Sequence, residues 1–322
     1  LCKLSEELDK KPGDALHEVQ TSTAKITKMR AAYLRAATYS AIHAATDQAE
    51  KGNIVAAYFA AKETQVLAQL QQETVKTQIE SATTSVYLKG RVDEFLSIME
   101  QAQESVTNGC LLTNGGYIAE RTHTTQLDGQ ECKLSLSEIK AKQSKSNILS
   151  AKGYAKLKHE ADRGNAYQHS GGASCKLTMA HNTAGFMQAA ASKNDFTMAA
   201  GYVKIPKDNA SPIGGTKLDA LTDVTGQVHQ PWISAWQAYK SRKGSEDAAY
   251  KNETDDLDKR NCLIRVIREG YAITEDSDNS KTKAVIAGLF GSTAASKWDD
   301  AVKDIYNTPI QGSTAKQKKK KT

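Results

Sequence analysis

The placement of proline constrains this chain more than any other single feature. Its five prolines are at positions 12, 206, 212, 231 and 309, so none lies between residues 13 and 205. Because proline breaks or kinks a helix interior, the front part of the chain is free to form long helices. Hydrophobic content is 39% and aromatic content only 6%. That balance is typical of elongated helical proteins with seams of small and aliphatic side chains.

Two helical stretches are expected before residue 110. The first begins after Pro12-Gly13 with Asp14 as its cap and ends near the turn signal at 51–53. The second runs from about Ile54 to Val106, and its apolar residues recur at steps of three and four, as in a coiled coil. At 1.5 Å per residue it would be roughly 75 Å long. Two such helices joined by a short turn predict an antiparallel hairpin. The apolar positions of the second helix are Val75, Ile79, Ala82, Val86, Val92, Phe95, Met99, Ala102 and Val106.

The remaining chain changes character twice. Residues 110–230 are rich in Gly, Thr, Asn and Ser, with short apolar segments that indicate an irregular lobe with a few strands. A helix restarts at HQPWISAWQAYK, where Pro231 occupies a permitted early position and Trp232, Trp236 and Tyr239 share one core-facing side. The expected organisation is therefore a helical hairpin over 1–109, a lobe over 110–230, returning helices and a second small lobe over 231–310, and a polar, lysine-rich linker over 311–322.

The cysteines pose a choice between two compartments. Their spacing contains no CxxC pair and no histidine at zinc-finger distance, so a zinc site is not expected. An antiparallel hairpin puts Cys2 and Cys110 at the same end, and Cys132 and Cys175 lie in the lobe that follows. Disulfides there would contribute about 2–4 kcal/mol each and require an oxidising compartment. These arguments leave three pairings open, and reduced cysteines in a cytosolic coiled coil remain the alternative. Cys262 fits an inert buried thiol.

Glycosylation sequons favour the secretory interpretation. Asn252-Glu253-Thr254 is an unobstructed sequon. Asn209-Ala210-Ser211 is followed by Pro212, which we expect to disfavour modification. Sugar on Ser211 is suggested only by its Pro and Gly neighbours.

Searches for chemistry lead to no enzyme, cofactor or metal site. The chain lacks the nucleophile-elbow, P-loop, dinucleotide-binding and zinc-protease motifs. DSDNSK at 276–281 resembles a calcium loop but has Lys281 and Ala287 where glycine and glutamate are needed, so we interpret it as a polar loop between helices. No run of about 18 apolar residues is present. The net charge of +6 depends on five lysines in the last seven residues, and no nucleic-acid partner is expected.

With these residues in view, the sequence resembles the amino-terminal domain of a class A trypanosome variant surface glycoprotein. The resemblance covers nearly the whole chain and rests on the order and spacing of several blocks. These blocks are LCKLSEELDKKPGDAL, AKITKMRAAYLRAA, SVYLKGRVDEFL, NGC, ECKLSL, HNTAGF, MAAGYV, HQPWISAW and KNET.

The resemblance implies a fold and a cellular location. It implies a mainly α, elongated homodimer with a four-helix core, a disulfide-stapled top lobe and a small bottom lobe. It also implies disulfides Cys2–Cys132 and Cys110–Cys175 and an N-glycan on Asn252. Cys262 departs from the four-cysteine pattern and is predicted to be unpaired. Membrane attachment, on the outer face of the plasma membrane, would be only through a GPI anchor on a carboxy-terminal domain absent from this sequence.

The function implied is a dense protective coat that hides the membrane from host antibodies and evades them by antigenic variation. The candidate exposed epitope loop is Ser211, Pro212, Ile213, Gly214 and Gly215. The alternative is a receptor or serum-factor-binding protein on the same scaffold, for which an exposed apolar patch on the top lobe would be diagnostic. A third interpretation, an intracellular coiled-coil tether, would require free thiols and an unmodified Asn252.

Overall fold

The computed structural model describes residues 1–113, 115–157, 175–179, 192–207, 213–222, 229–245, 256–291 and 295–310. The prediction of a mainly helical protein with long N-terminal helices is confirmed. The described helices are α1 (Cys2–Asp9), α2 (Lys11–Ile42), α3 (Asp47–Gln69), a π-helical segment (Leu70–Thr74), α4 (Val75–Gln101), α5 (Gln230–Ser245), α6 (Asn261–Gly270), α7 (Ser280–Phe290) and α8 (Ala295–Asn307).

Contacts divide the chain into two compact units. Unit 1 comprises residues 1–19 and 75–245, and unit 2 comprises residues 20–74 and 246–322. The four segments predicted from the sequence are therefore grouped differently by contacts, and that four-part division stays a prediction.

The helical hairpin within unit 2 turns earlier than predicted. The chain reverses at residues 43–46, before α3 begins at Asp47. Ser40 donates to the carbonyl of Ala49, and Arg30 meets Glu63, so α2 and α3 run antiparallel. Gly52, expected in the turn, lies inside α3. A Cβ there would come within 3.0 Å of Ser40 Cβ and of the Tyr39 ring, so this glycine permits close helix packing instead of a reversal.

The start of the first helix also differs from the expectation. A short helix, α1, precedes α2, and α2 begins at Lys11 instead of Asp14. Asp14 is not a cap residue, because its buried carboxylate is engaged by side chains and backbone from elsewhere in unit 1. Asp14, although it lies in the first turn of α2, therefore stabilises contacts between distant parts of unit 1.

Helix α4 buries only part of the apolar stripe that the spacing predicts. Val92 and Met99 are buried as expected. The buried residues of the helix also include Ser81, Ser85 and Lys89, whereas Val75 and Ile79 are exposed. The helix ends at Gln101, so Val106 lies beyond it and is exposed. Periodicity identifies an apolar stripe, but it does not identify what covers that stripe.

The strands of unit 1 are short and antiparallel, as expected for an irregular lobe. Three two-stranded ribbons are formed by β1 (Gln103–Ser105) with β2 (Asn108–Gly109), β3 (Gln126–Leu127) with β4 (Gln130–Glu131), and β5 (Leu149–Ser150) with β6 (Gly153–Tyr154). A three-stranded sheet has the order β7 (Phe196–Met198), β8 (Val203–Ile205), β9 (Gly214–Gly215).

The core of unit 1 is centred on the aromatic face of α5. Trp232, Trp236 and Tyr239 are buried, as their spacing predicts. Trp232 Nε1 donates to the carbonyl of Ala199, and the Tyr154 hydroxyl donates to the carbonyl of Trp232. Burial raises the pKa of Tyr154. Each buried polar atom of these rings has a partner, as burial requires.

The DSDNSK segment is a polar connection between α6 and α7, as predicted. Asp276 accepts hydrogen bonds from the backbone N–H groups of Lys281 and Thr282 and from the Thr282 hydroxyl. Those N–H groups belong to the first turn of α7, where no intrahelical acceptor exists. The carboxylate therefore caps a helix instead of binding a cation.

Candidate functional site

The two disulfides of unit 1 join helix ends to the lobe. Cys2, in the first turn of α1, is bonded to Cys132, and Cys110, just beyond α4, is bonded to Cys175. This is the pairing that the resemblance implied. Cys262 takes part in neither disulfide, and its side chain is buried in α6.

The segment after α4 folds back on itself in a meander, which comprises residues 103–113 and 115–119. The Cys110 N–H donates to the carbonyl of Ala102, and the Ile118 N–H donates to the carbonyl of Val106. Cys110 is thus held at the end of α4 by backbone bonding as well as by its disulfide. Large apolar side chains at Val106 and Tyr117 are 62% and 61% exposed, so the meander presents apolar surface to solvent.

An ion pair connects the end of α4 to the Cys132 segment. Arg121 donates to both carboxylate oxygens of Glu100, at 2.6 Å each, and to the carbonyl of Cys132 at 2.9 Å. The hydrogen bond to Glu100 raises the pKa of Arg121. A planar guanidinium fits this bidentate arrangement, which a lysine cannot reproduce.

A second connection is made by the strap, which we define as residues 133–148. The strap is largely without regular structure, so its backbone N–H groups lack ladder partners. Carboxylates of α1 and α2 accept several of them: Glu6 from Lys133, Asp9 from Ser137, Asp14 from Ser144, and Glu7 from Asn147 and Ile148. Acidic side chains of α1 and α2 thus accept the backbone hydrogen bonds that a neighbouring strand would accept in a sheet.

Asp14 is the most deeply buried of these acids. Its buried carboxylate meets Lys11 Nζ at 3.0 Å and Arg242 of α5 at 3.4 Å. Both cations also lie over the Tyr239 ring, at 5.6 and 5.9 Å from its centroid. Asp14 therefore joins the strap, α2 and α5 in one buried cluster.

Another buried cluster joins α1 to α4. Lys89 Nζ lies 2.8 Å from Ser5 Oγ and 2.7 Å from Asp93, and Ser5 also donates to Asp93. A serine beside a lysine is chemically a nucleophile and base pair. Here all three residues are buried, and the carboxylate holds the ammonium, so the cluster fastens the helices instead of meeting a substrate.

The remaining predicted site residues are distributed as follows. Gly214 and Gly215, expected in an exposed epitope loop, are buried in β9, because β9 pairs with β8. This corrects the expectation for these two residues, and Ile213 is half-buried. Ser211, Pro212, Asn209 and Asn252 lie outside the described residues. Among the described residues no group of three or more potential metal ligands occurs, and no helix is long and apolar enough to cross a membrane.

Sequence reasoning missed the acids of α1 and the strap they hold. Glu6, Glu7 and Asp9 are spread around a short helix, and from the sequence alone they would be predicted to be ordinary charged residues in contact with solvent. The one available signal was that SEELD lies near a cysteine, while the strap sequence follows another cysteine. With the pairing Cys2–Cys132 in hand, the two segments must lie side by side.

Comparison with known proteins identifies the family. The family model described as "Trypanosome variant surface glycoprotein (A-type)" matches residues 1–322. Two curated relatives from Trypanosoma brucei brucei are similar: variant surface glycoprotein MITAT 1.2, 34% identical over 96% of this chain, and MITAT 1.1, 30% identical over 92%. The matches cover 65% and 61% of those proteins, so this chain spans less than two thirds of their length.

A solved structure supports the same conclusion. The "Structure of MITat 1.1" aligns with a TM-score of 0.85 at 30% identity, and the match covers 94% of this chain and 83% of that one. The family match, the relatives and the shared fold agree with the resemblance in the cysteine and helix blocks, and this chain belongs to the A-type trypanosome variant surface glycoprotein family.

Proposed function

We propose that this chain is the amino-terminal part of a surface coat glycoprotein that shields a trypanosome membrane and evades host antibodies by antigenic variation. The family match over residues 1–322 is the observation that carries this proposal. The relatives are named as variant surface glycoproteins, and none of those reported is named as an enzyme. The proposed role is therefore steric and immunological.

The distribution of contacts supports a division between scaffold and variable surface. The helices of unit 1 are fastened by two disulfides, the Asp14 cluster and the Ser5–Lys89–Asp93 cluster. Loops such as the meander contribute exposed side chains and few core residues. Surface loops tolerate substitution far better than a packed helix face. Variation can therefore accumulate in the loops without loss of the fold.

Assembly as a homodimer is part of the proposal. Helix α4 exposes Val75, Ile79, Tyr87 and Ile98, and apolar side chains at helical spacing on one exposed side suit a partner helix. Substituting Ile79→Glu should convert dimer to monomer in sedimentation velocity, whereas Lys76→Gln, at an exposed polar position on the same helix, should not. A monomeric parent protein would remove this part of the proposal.

Location at the outer face of the plasma membrane follows from the coat role. We propose a GPI anchor on a carboxy-terminal part that the relatives' greater length accommodates, and an N-glycan on Asn252. Peptide mapping after enzymatic removal of N-glycans tests the glycan directly. An unmodified Asn252 in protein taken from the cell surface would count against the secretory assignment.

The coat role is tested by antibody access. Trypanosomes expressing this protein as their sole surface glycoprotein should bind antisera raised against the folded chain and exclude antibodies against an invariant membrane protein beneath it. Controlled release of the coat should expose that membrane protein. Equal access before and after release would show that the protein does not shield the membrane.

A receptor on the same scaffold is the second candidate. The observation that favours it is the exposed apolar surface of the meander at Val106, Leu112 and Tyr117. A receptor would bind one serum protein saturably, and the double variant Val106→Ser/Tyr117→Ser would abolish that binding without lowering the melting temperature. No saturable binding by the parent protein would leave the coat role as the better explanation.

A further inference from the structure

A cleft of about 860 Å³ lies within unit 1 beside the Cys2–Cys132 disulfide. Its apolar floor includes Leu96, Leu127 and Ile148, which belong to the core, together with Leu111 and Leu157. One side is formed by the outward face of α1. The volume falls in the range of clefts that hold small organic ligands, roughly 300–1,000 Å³.

The rim of the cleft carries a group of exposed lysines. Lys3, Lys10, Lys145 and Lys156 line it and are exposed. Within the part of the chain that the structure describes, no ion pair engages any of these four ammonium groups.

The carboxylates of the lining are mostly engaged elsewhere. Glu6 holds the ammonium and backbone N–H of Lys133, Glu131 also meets Lys133, and Glu7 accepts hydrogen bonds from the strap. Asp128 is the one lining carboxylate, among the described residues, whose side chain makes no such contact. With Lys133 included, five lysines stand against four carboxylates, so a small excess of positive charge surrounds the apolar floor.

We propose that this cleft binds an amphipathic anion with a long apolar body and one negatively charged head, of the class of long-chain fatty acids. The floor would take the apolar body, whose burial supplies most of the affinity. The lysines would hold the head group at the rim, where Lys stems pack on apolar surface and their charged ends remain in water. The inference does not depend on the coat role.

The test uses the native full-length glycoprotein and the fluorescent fatty acid cis-parinarate. We expect saturable binding at one site per chain, with weaker binding of the uncharged methyl ester. The variant Lys3→Gln/Lys10→Gln/Lys145→Gln should weaken parinarate binding about ten-fold, because three head-group attractions are lost. It should leave binding of the methyl ester unchanged.

A matched control removes the same charge elsewhere. Lys142, Lys152 and Lys193 are exposed in unit 1 and do not line the cleft, so their triple Gln variant should bind parinarate like the parent. A second variant, Ala119→Trp, places an indole in the lining and should block both ligands. Absence of saturable binding by the parent, or equal weakening by the two lysine triples, would overturn the proposal. Intact binding in Ala119→Trp protein with an unchanged melting temperature would also overturn it.

Discussion

Asp14 and Ser144 are 130 residues apart, yet one carboxylate oxygen of Asp14 accepts the Ser144 backbone N–H at 2.6 Å and the other accepts its hydroxyl at 2.9 Å. The same carboxylate neutralises Lys11 and contacts Arg242. One acidic side chain near the start of α2 therefore fastens the strap and α5 at once. The relationship shows how an irregular lobe without large sheets is held to its helices.

Replacing Asp14 should be costly. In Asp14→Asn, the buried Lys11 ammonium would lose its carboxylate, and breaking a buried pair in this way costs about 3–5 kcal/mol. We expect a loss of that size in urea unfolding with the disulfides intact. Asp9→Asn is the matched control, because Asp9 makes one hydrogen bond to the strap at 3.1 Å and should cost about 1 kcal/mol. Equal costs for the two variants would contradict the assigned role of Asp14.

Gly13 should not tolerate a side chain. A Cβ at this position would lie 2.5 Å from the Lys140 carbonyl oxygen, which belongs to the strap backbone and cannot rotate away. Gly13→Ala should therefore destabilise the protein by about 1–3 kcal/mol. Gly288, inside α7, has open space around its Cβ position, so Gly288→Ala should instead stabilise by about 0.5–1 kcal/mol. Thermal unfolding of both variants separates the steric effect from the general effect of replacing glycine.

Arg35 should hold the end of α8. Its guanidinium donates to the carbonyls of Ile305, Tyr306 and Thr308, which include groups that a helix leaves without partners at its C-terminus. A cation there also complements the helix dipole. Arg35→Met should cost about 1–3 kcal/mol and speed amide exchange in α8.

The control for Arg35 lies on the same helix. Arg30 is 69% exposed and meets Glu63 at 3.5 Å, so Arg30→Met should change stability by less than about 1 kcal/mol. Unaltered exchange in α8 of the Arg35 variant would show that these carbonyls do not depend on the guanidinium.

Asp276 should contribute acid-dependent stability to unit 2. Burial opposes ionisation, but hydrogen bonds from Thr282 and Lys281 and the charge of Arg268 outweigh it and lower the pKa of Asp276 from 3.8 to about 2. Because the folded pKa lies below the unfolded one, the stabilisation is complete above about pH 4 and is lost as pH falls through 2. We expect Asp276→Asn to be less stable than the parent at neutral pH.

The pH profile separates this contribution from other effects. The stability difference between parent and Asp276→Asn should shrink as pH falls from 4 to 2, measured by urea unfolding at each pH. Asp278→Asn serves for comparison, because Asp278 accepts from the Ser280 N–H, whereas the N–H groups of Lys281 and Thr282 donate to Asp276. Hydrogen bonds from Ser280 also lower the pKa of Asp278, so its substitution should show a pH dependence of the same sign but smaller size. A constant difference across that pH range would rule out titration of Asp276 as the cause.

The sequence by itself determined the helical class, the family and the aromatic face of α5. The signals for these features are the long segment without proline, the recurrence of apolar residues at steps of three and four, and the order of the cysteine-containing blocks. Each can be read along the sequence without knowing which residues are in contact. Trp232, Trp236 and Tyr239 recur on one side of any helix formed there, so their burial could be predicted. The DSDNSK loop could likewise be judged from two residues that do not suit calcium.

Only the tertiary structure decided what the polar residues of α1 and α2 contact and how much of the apolar stripe of α4 is buried. Asp14 is a residue type common at helix caps, and Gly52 is one common in turns. In the folded chain, however, Asp14 lies in a buried cluster and Gly52 lies at a close contact between two helices. Gly214 and Gly215 look like loop residues until β8 is seen to pair with them. Such roles depend on contacts with residues that are distant in the sequence, and a local sequence pattern does not identify those residues.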